Sequence, residues 1–300
     1  MGKSTLSLAM ALRLARAGRR VLVVSSHPLA ELAVGISLAG LGARFPEAAQ
    51  GLFVVYIDPV EQISALVQKH FPLALMARSV LNSSIFQNLI AVAPGLKEFF
   101  FLARLQQLAE RRSPEEVGAP AYDDLIWDAP ATGHFLSTLR AARGFDTYLS
   151  GPLAAAGAEM HRFFSAPGNL RVIAVTQAEE MAIAETLELS SALQKDFSIR
   201  PSVVALNAVS PLCMADAASV AELSAGGTAG GIPPGTTDAA LRFAIDRGCA
   251  ERDLGQKLAT DLPVPQVFIP RIAHRDGAQA DSDLLLLAEL GTHLERPEFS

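Results

Sequence analysis

The sequence is poor in cysteine, and its two cysteines are far apart. Cys213 and Cys249 are separated by 36 positions in a chain of 300 residues, and no C-x-x-C pair occurs. Zinc clasps and disulfide frameworks require cysteines paired at characteristic spacings. The sequence therefore supports neither kind of site, and we expect two reduced, buried thiols.

Long apolar runs are also missing. A helix that spans a bilayer needs about 18 or more apolar residues without charges. The longest candidate, Leu32 to Ala43, has 12 residues and three glycines, and Arg13 and Arg16 interrupt the apolar N-terminal segment. The sequence therefore predicts no transmembrane segment, argues against a signal peptide, and favours a cytoplasmic protein.

Charged residues are scarce, and basic residues do not dominate among them. Only 19% of the residues are charged, the net charge is −6 and the pI is about 5.6. Surfaces that bind nucleic acid carry an excess of Lys and Arg, so this balance argues against a nucleic-acid partner. Half of the residues are apolar, which suits either one large α/β domain or two small ones.

A phosphate-binding signature stands at the start of the chain. Gly2-Lys3-Ser4-Thr5 matches the closing half of a phosphate-binding loop, and an apolar helical pattern follows from Thr5 to Ala17. In such a loop, backbone N–H groups cradle phosphate oxygens, the Lys ammonium reaches the β- and γ-phosphates, and the Ser hydroxyl binds Mg²⁺. The helix N-terminus adds a partial positive charge. Four residues alone are a weak signal, because they also fit an ordinary capped helix start.

Strand-like and helical runs alternate along the rest of the chain. Helices are predicted from Glu179 to Asp196 and from Asp238 to Leu262, and Gly226 to Thr237 has the composition of a loop. Alternation of this kind predicts a doubly wound, mostly parallel sheet covered on both faces. The strand-like runs are Val21 to Val24, Leu52 to Ile57, Leu125 to Trp127, Arg171 to Thr176, Ser202 to Asn207 and Gln266 to Ile269.

Several of these strands end at polar residues suited to a ligand. Ligands of open α/β sheets bind at the carboxyl ends of the strands, so these residues are expected along one edge. Asp128 ends a buried strand, where a carboxylate is costly unless it is paired or lies near a cation. It fits a carboxylate that holds Mg²⁺ through water, or one that caps the following Thr-Gly turn. The expected edge residues are Ser25, Asp128, Thr176 and Asn207.

The segment from Val60 to about Arg112 is strongly apolar and reads as helical. Its only breaks are Pro72 and Pro94-Gly95. Such a segment is either a helical layer on the core or a groove for an apolar protein partner.

Together these motifs resemble the ATPase family of arsenite pumps and of tail-anchored-protein targeting, whose deviant Walker A loop reads K-G-G-V-G-K-S-T. Gly2 to Thr5 matches the last four positions of that loop. Tyr122 to His134 is similar to the family's switch II stretch, Y-D-x-I-x-x-D-x-A-P-T-G-H, with the Ala-Pro order shifted by one position. Thr176 to Thr186 is similar to its T-x-P-E-x-M…E-T segment, with Ala178 in place of proline.

The resemblance implies one P-loop ATPase domain over residues 1–300, with a helical insertion at about 60–112. It implies ATP and Mg²⁺ as cofactors, and a homodimer, or a heterodimer with a paralogous ATPase subunit, that switches with the nucleotide. The site residues that it implies are Gly2, Lys3, Ser4 and Thr5 for the phosphates, Ser4 and Asp128 for Mg²⁺, Asn207 and Pro270 for adenine, and Thr132, Gly133 and His134 for switch II.

Switch I departs from the family pattern. His27-Pro28-Leu29 stands where the family has D-P-A, whose Asp is taken to orient the attacking water. His27 is the catalytic candidate at this position, but it lacks the permanent negative charge of Asp. Three hypotheses stay open: a slow ATPase, a degenerate nucleotide-binding subunit that pairs with a competent paralogue, and a carrier of apolar protein segments. We expect His27→Asp to raise the rate of hydrolysis.

The first residue also departs from the family loop. Met1 stands where that loop has valine, and bacteria can initiate at GTG, a valine codon. The hypothesis is that Met1 is an internal valine, and that the natural chain begins upstream by about 10 to 20 residues, enough for a strand and the rest of the loop. The upstream reading frame tests this hypothesis, because it should encode a strand followed by Lys-Gly-Gly.

Overall fold

The computed structural model describes residues 2–25, 50–70, 83, 95–114, 117–148, 152–215 and 238–271. Within these ranges, strands and helices alternate along the chain, as the sequence predicts. His27 lies outside the described residues, and so does the predicted loop Gly226 to Thr237.

Six strands form two three-stranded parallel sheets, ordered β2-β1-β3 and β4-β5-β6. The predicted α/β class with mostly parallel strands is confirmed. The sequence predicts a single sheet, whereas the strands of the described residues form two separate hydrogen-bonded sheets. In the first sheet β3 pairs with β1, and in the second β4 pairs with β5. The strands are β1 (Val21–Ser25), β2 (Leu52–Tyr56), β3 (Asp124–Asp128), β4 (Ile173–Thr176), β5 (Val203–Val209) and β6 (Gln266–Pro270).

Seven α-helices surround these sheets in the described part of the chain. The sequence patterns located α1, α6 and α7 to within two residues at each end. They missed α4 and α5 as separate helices, although α4 carries apolar residues at helical spacing. The helices are α1 (Lys3–Arg16), α2 (Pro59–His70), α3 (Leu96–Ala109), α4 (Thr132–Tyr148), α5 (Pro152–Ser165), α6 (Glu180–Phe197) and α7 (Asp238–Asp261).

Helix α1 packs against both sheets on one face. Ala9, Leu12 and Ala15 on α1 are at most 2% exposed, and they share one apolar cluster with Val23 of β1 and Ala205 of β5. Side chains alternate between the faces of a strand, so the neighbours of Val23 point the other way. The hydrophobic core is therefore continuous where the hydrogen-bonded sheet is divided.

The opposite face of the first sheet is covered by α3, α4 and α5. Leu22 and Val24 of β1 pack there with Leu102 of α3, Leu139 of α4 and Met160 of α5, all of which are at most 3% exposed. Burial of this kind favours the helical-layer interpretation for α3. Residues 71–82 and 84–94 of the predicted helical insertion lie outside the described residues, so the groove interpretation stays open for them.

Among the helices of the described residues, none is both long enough and apolar enough to cross a bilayer.

Candidate functional site

The Gly-Lys-Ser-Thr segment begins α1, as expected for half of a phosphate-binding loop. Gly2 has φ 81° and ψ 17°, a left-handed conformation that glycine adopts readily. The first hydrogen bond of the helix runs from the N–H of Leu6 to the carbonyl oxygen of Gly2, at 2.9 Å. The N–H groups of Lys3, Ser4 and Thr5 thus precede the helical ladder and can bind an anion.

Gly2 also contacts the second sheet. A methyl group at this position would overlap the side-chain amide nitrogen of Asn207 and lie 3.5 Å from its Cγ. Glycine is therefore favoured at position 2 for two reasons. The backbone has a left-handed conformation, and the Asn207 side chain leaves no room for a Cβ atom. Asn207 is the residue that the resemblance assigns to adenine. Two candidate residues separated by 205 positions meet at one place, a contact that the sequence did not predict.

Asp128 lies at the carboxyl edge of the first sheet, as predicted. It is directly opposite Ser25 in the register of β1 and β3. Ser25 is fully buried, and Asp128 is 4% exposed. A hydroxyl and a carboxylate therefore end neighbouring strands, next to the start of α4.

The three predicted switch II residues form the first turn of α4. The N–H of Phe135 donates to the carbonyl oxygen of Ala131 at 2.9 Å, which closes that turn. The hydroxyl of Thr138 donates to the carbonyl oxygen of His134 at 2.7 Å. His134 itself is exposed. Its side chain therefore stands at the surface, six positions after Asp128.

An aromatic row connects this turn to α3. The ring of Trp127, one residue before Asp128, lies 5.4 Å from the ring of Phe101 on α3 and 5.2 Å from that of Phe135 on α4. The indole N–H of Trp127 is enclosed and has no hydrogen-bond acceptor in the described part of the protein. Trp127 therefore makes only packing contacts with the two helices.

The edge of the second sheet carries the remaining candidates. The hydroxyl of Thr176 donates to the carbonyl oxygen of Ala182 on α6 at 3.0 Å, so this edge residue is engaged in fixing α6. Asn207 pairs with Ile269, and Pro270 is paired with Val209 after a register shift. Asn207 and Pro270 therefore lie near the ends of adjacent strands.

Shifted pKa values occur at the start of the first sheet and at Cys213, in the segment that follows β5. The pKa of Arg19 is raised, chiefly by its hydrogen bond to Asp124. The pKa of Asp123 is lowered because the backbone N–H of Arg20 donates to its carboxylate at 2.7 Å. Burial raises the pKa of the Cys213 thiol, and the negative charge of Glu251 acts in the same direction. The charged residues at the start of the first sheet lie at the end opposite to Asp128; they are Arg19, Arg20, Asp123 and Asp124.

A left-handed glycine followed by Lys-Ser-Thr at the start of a helix, beside the carboxyl ends of parallel strands, defines a phosphate-loop α/β protein. The sequence model of the anion-transporting ATPase family matches residues 1–167 of this chain. The chain belongs to the anion-transporting ATPase family.

Several curated proteins are similar to this chain at low identity. A Chlorobaculum tepidum protein named as an arsenical pump-driving ATPase is 28% identical over 167 residues, which cover 51% of this chain and 38% of that protein. ATPase BagA of Mycobacterium tuberculosis is 25% identical over 237 residues, which cover 74% of this chain and 66% of BagA. ATPase get3 of Botryotinia fuckeliana is 29% identical over 159 residues, which cover 51% and 42%. Each alignment covers less than two thirds of the relative.

Proposed function

We propose that this protein binds and hydrolyses ATP in the presence of Mg²⁺, and that the nucleotide switches it between two states of a dimer. The contact between Gly2 and Asn207 carries the proposal. It joins the segment suited to phosphates to the residue suited to the base, within the reach of one nucleotide. Membership of the anion-transporting ATPase family supports the same activity.

Phosphate binding is assigned to the first turn of α1. Lys3 supplies a cation and the adjoining N–H groups supply donors, while the helix dipole adds positive potential at the same point. No acidic residue occurs in this turn, so the positive potential is not offset there. An anionic triphosphate is the ligand that this chemistry favours.

The donors available for Mg²⁺ are oxygen atoms, which suit this ion. Ser4 offers a hydroxyl, and Asp128 offers a carboxylate that is only 4% exposed. Protein sites for Mg²⁺ commonly use one or two such groups, with substrate phosphates and waters completing the octahedron. Ser4 would bind the ion directly and Asp128 through water. When bound, Mg²⁺ would neutralise charge that develops on the transferred phosphoryl group.

Hydrolysis requires that a water molecule be oriented toward the terminal phosphate. His27 takes the place of the family's Asp, and we propose that turnover is slow for this reason. A positioned catalytic group commonly contributes about 10² to 10⁴ in rate. Thr132, Gly133 and His134 are the second segment that would respond to the terminal phosphate, because their turn directly follows the strand that ends in Asp128.

Base binding is assigned to Asn207 and Pro270. An Asn amide has both a donor and an acceptor, which matches the paired acceptor and donor on one edge of adenine. The ring of Pro270, on the neighbouring strand end, would flank the base with an apolar surface.

The dimer, homomeric or with a paralogous subunit, is part of the proposal. Met181 in the first turn of α6 is 77% exposed, next to the strand end at Thr176. Met181 is therefore a candidate contact residue of the proposed dimer.

Two substitutions in the whole protein test the proposed activity. Lys3→Met should weaken binding of ATP by at least about 10²-fold, because the phosphates lose their cation. Asp128→Asn should abolish the enhancement of ATP binding by Mg²⁺. Lys257→Met, which changes an exposed lysine on α7, is the control and should leave both properties unchanged.

Binding is measured by calorimetry with and without Mg²⁺, and hydrolysis by phosphate release. Equal ATP affinity in the wild type and Lys3→Met would rule out the proposed phosphate site. Binding without measurable phosphate release would support the degenerate-subunit hypothesis in place of the ATPase.

A further inference from the structure

The end of β5 departs from regular strand geometry next to Asn207. Ala208 has φ 58°, and the register of β5 and β6 shifts between Asn207 and Val209. Apart from Ser198, which ends α6, it is the one non-glycine residue with positive φ in the described ranges. An extra residue in one strand is a β-bulge, and a bulge changes the direction of the side chains beside it.

The left-handed conformation of Ala208 is unfavourable and must be held by its surroundings. For a residue with a Cβ atom, this conformation is disfavoured by about 5- to 30-fold relative to the right-handed one. Strained backbone of this kind persists only where neighbouring contacts fix it, and it is concentrated at functional sites. The contacts that follow Ala208 in the chain therefore need to be strong.

Two adjacent charged residues of α7 supply those contacts. The carboxylate of Glu251 is 6% exposed; it accepts a hydrogen bond from the backbone N–H of Ser210 and another from Arg247 Nε at 2.8 Å. Hydrogen bonds to charged groups are about twice as strong as those between neutral groups. Ser210 is only two residues after Ala208, so this bond fixes the chain immediately beyond the bulge.

Arg252 binds the segment that comes next. Its guanidinium donates to the carbonyl oxygens of Leu212 at 3.0 Å, Cys213 at 3.1 Å and Ala215. Gly248, one helical turn earlier, permits the close approach, because a Cβ atom there would lie 2.9 Å from Leu212 Cβ. We call Glu251 and Arg252 the α7 clamp.

The clamped strand end is also connected to Pro270. Val209 is paired with Pro270, and the N–H of Arg271 donates to the carbonyl oxygen of Val209 at 2.7 Å. A shift of the chain at Val209 would therefore move both residues assigned to adenine.

We propose that the α7 clamp positions Asn207 and Pro270 for adenine, and that it thereby determines base selectivity. This inference rests on the proposed function. Hydrogen-bonded recognition of a base edge depends on the direction of the Asn207 amide, whereas the groups that would bind the phosphates, the Lys3 ammonium and the N–H groups at the start of α1, belong to a different element. The clamp residues are positioning residues that act through the bulge at Ala208.

The test compares three ligands in the full chain, each with Mg²⁺: ATP, GTP and inorganic tripolyphosphate. In Arg252→Met, ATP affinity should fall about 10-fold through loss of charge-assisted hydrogen bonds, and the preference for ATP over GTP should shrink by the same factor. Tripolyphosphate affinity should stay unchanged. Asp253→Asn, on the exposed side of α7, is the matched control and should leave all three affinities unchanged.

A second pair of variants acts at the bulge without touching α7. Ala208→Val should reproduce the loss of selectivity, because a β-branched side chain disfavours the left-handed conformation more strongly than alanine does. Ala208→Gly, introduced into Arg252→Met, should restore most of the preference, because glycine adopts this conformation without strain. Should Arg252→Met fail to fold, Ala208→Val alone decides the question.

The outcomes distinguish a failure of this inference from a failure of the proposed function. If the wild type prefers ATP over GTP, and folded Arg252→Met or Ala208→Val keeps that preference, the clamp has no role in selectivity and the inference is overturned. If the wild type binds none of the three ligands, the proposed function fails, and the inference fails with it. If all three affinities fall together in Arg252→Met, the clamp supports only the fold, which also overturns the inference.

Discussion

The two sheets of this protein are similar in architecture but are fixed at opposite ends. Both have three parallel strands, and both present polar residues at the carboxyl edge. In the first sheet, ion pairs join the start of β1 to the start of β3: Arg19 with Asp124 and Arg20 with Asp123. These pairs lie at the end opposite to Asp128.

In the second sheet, the charged contacts lie at the ligand edge itself. Glu251 and Arg252 bind the chain immediately after Asn207, and the strained Ala208 lies between. We interpret the first sheet as the half whose ligand edge can change with the nucleotide, since its ion pairs are remote from that edge. Under the proposed function, the second sheet is the half that must hold one geometry, because it carries the residues assigned to the base.

The largest predicted effect on ATP affinity is for Gly2, the residue that begins α1 and contacts Asn207 of the second sheet. Gly2→Ala should reduce ATP affinity by at least about 10²-fold, because it combines backbone strain with overlap against Asn207. Gly18→Ala is the control. Gly18 has φ 83° at the other end of α1, but a Cβ atom there would have no neighbour within 4 Å.

Both variants are titrated with ATP and Mg²⁺, and both are melted. The control should lose stability from strain alone and keep its ATP affinity. If Gly2→Ala binds ATP as well as Gly18→Ala does, the contact with Asn207 is irrelevant to the nucleotide.

An intermediate effect, on stability, is predicted for two glycines within helices: Gly248 on α7, which packs beside the second sheet, and Gly144 on α4, which packs beside the first. Gly248→Ala should destabilise the protein by about 1–3 kcal/mol, because a Cβ atom there would lie 3.0 Å from the backbone carbon of Leu212 and 3.1 Å from the backbone nitrogen of Cys213. Gly144→Ala on α4, where a Cβ atom meets nothing within 4 Å, should instead stabilise it by about 0.5–1 kcal/mol.

Urea denaturation of the two variants measures both changes. Opposite signs are the expected result. A stabilised Gly248→Ala protein would show that α7 and the segment after β5 are not closely packed, and would weaken the distinction between the two sheets.

The smallest effect is predicted for the ion pairs of the first sheet. Asp123 has a lowered pKa in the folded protein, so its ionised form stabilises the fold above the unfolded pKa of about 3.9, and this contribution is lost as the pH falls through the lowered value. Asp123→Asn should lower stability slightly at pH 7, by less than about 1 kcal/mol because the pair is exposed.

Thermal melts of wild type and Asp123→Asn should therefore converge once the pH has fallen below the lowered pKa of Asp123. ATP affinity at pH 7 should be equal in the two proteins, since the pair is remote from the ligand edge. A change in ATP/GTP preference in this variant would contradict the comparison of the sheets.

Patterns in the sequence located the strands and the edge residues of each sheet, because buried strands are apolar runs and their ends are polar. Asp128 was found in this way, opposite Ser25. Helix α4 is not among the predicted helices, because its first turn matches the switch II motif, although Phe135, Leu139 and Ala142 repeat at helical spacing.

The residues that fix the second sheet could not be predicted. A left-handed conformation is expected for Gly or Asn, and nothing in the sequence marks Ala208. Glu251 and Arg252 occur in a helix rich in charged residues, so their burial depends on tertiary packing alone. The assignments of Lys3, His27, Asn207 and Pro270, the single domain and the upstream strand stay predictions.

The aromatic row contains Trp127, whose fluorescence provides an intrinsic probe of this part of the protein. Trp127 is the only tryptophan in the chain, so its fluorescence reports on one location, between α3 and α4 and one residue before Asp128. Its emission should be blue-shifted, as for an indole shielded from water. Any rearrangement of the turn after Asp128 would change the quantum yield, so this emission tests the proposed nucleotide-driven switch in real time without a label.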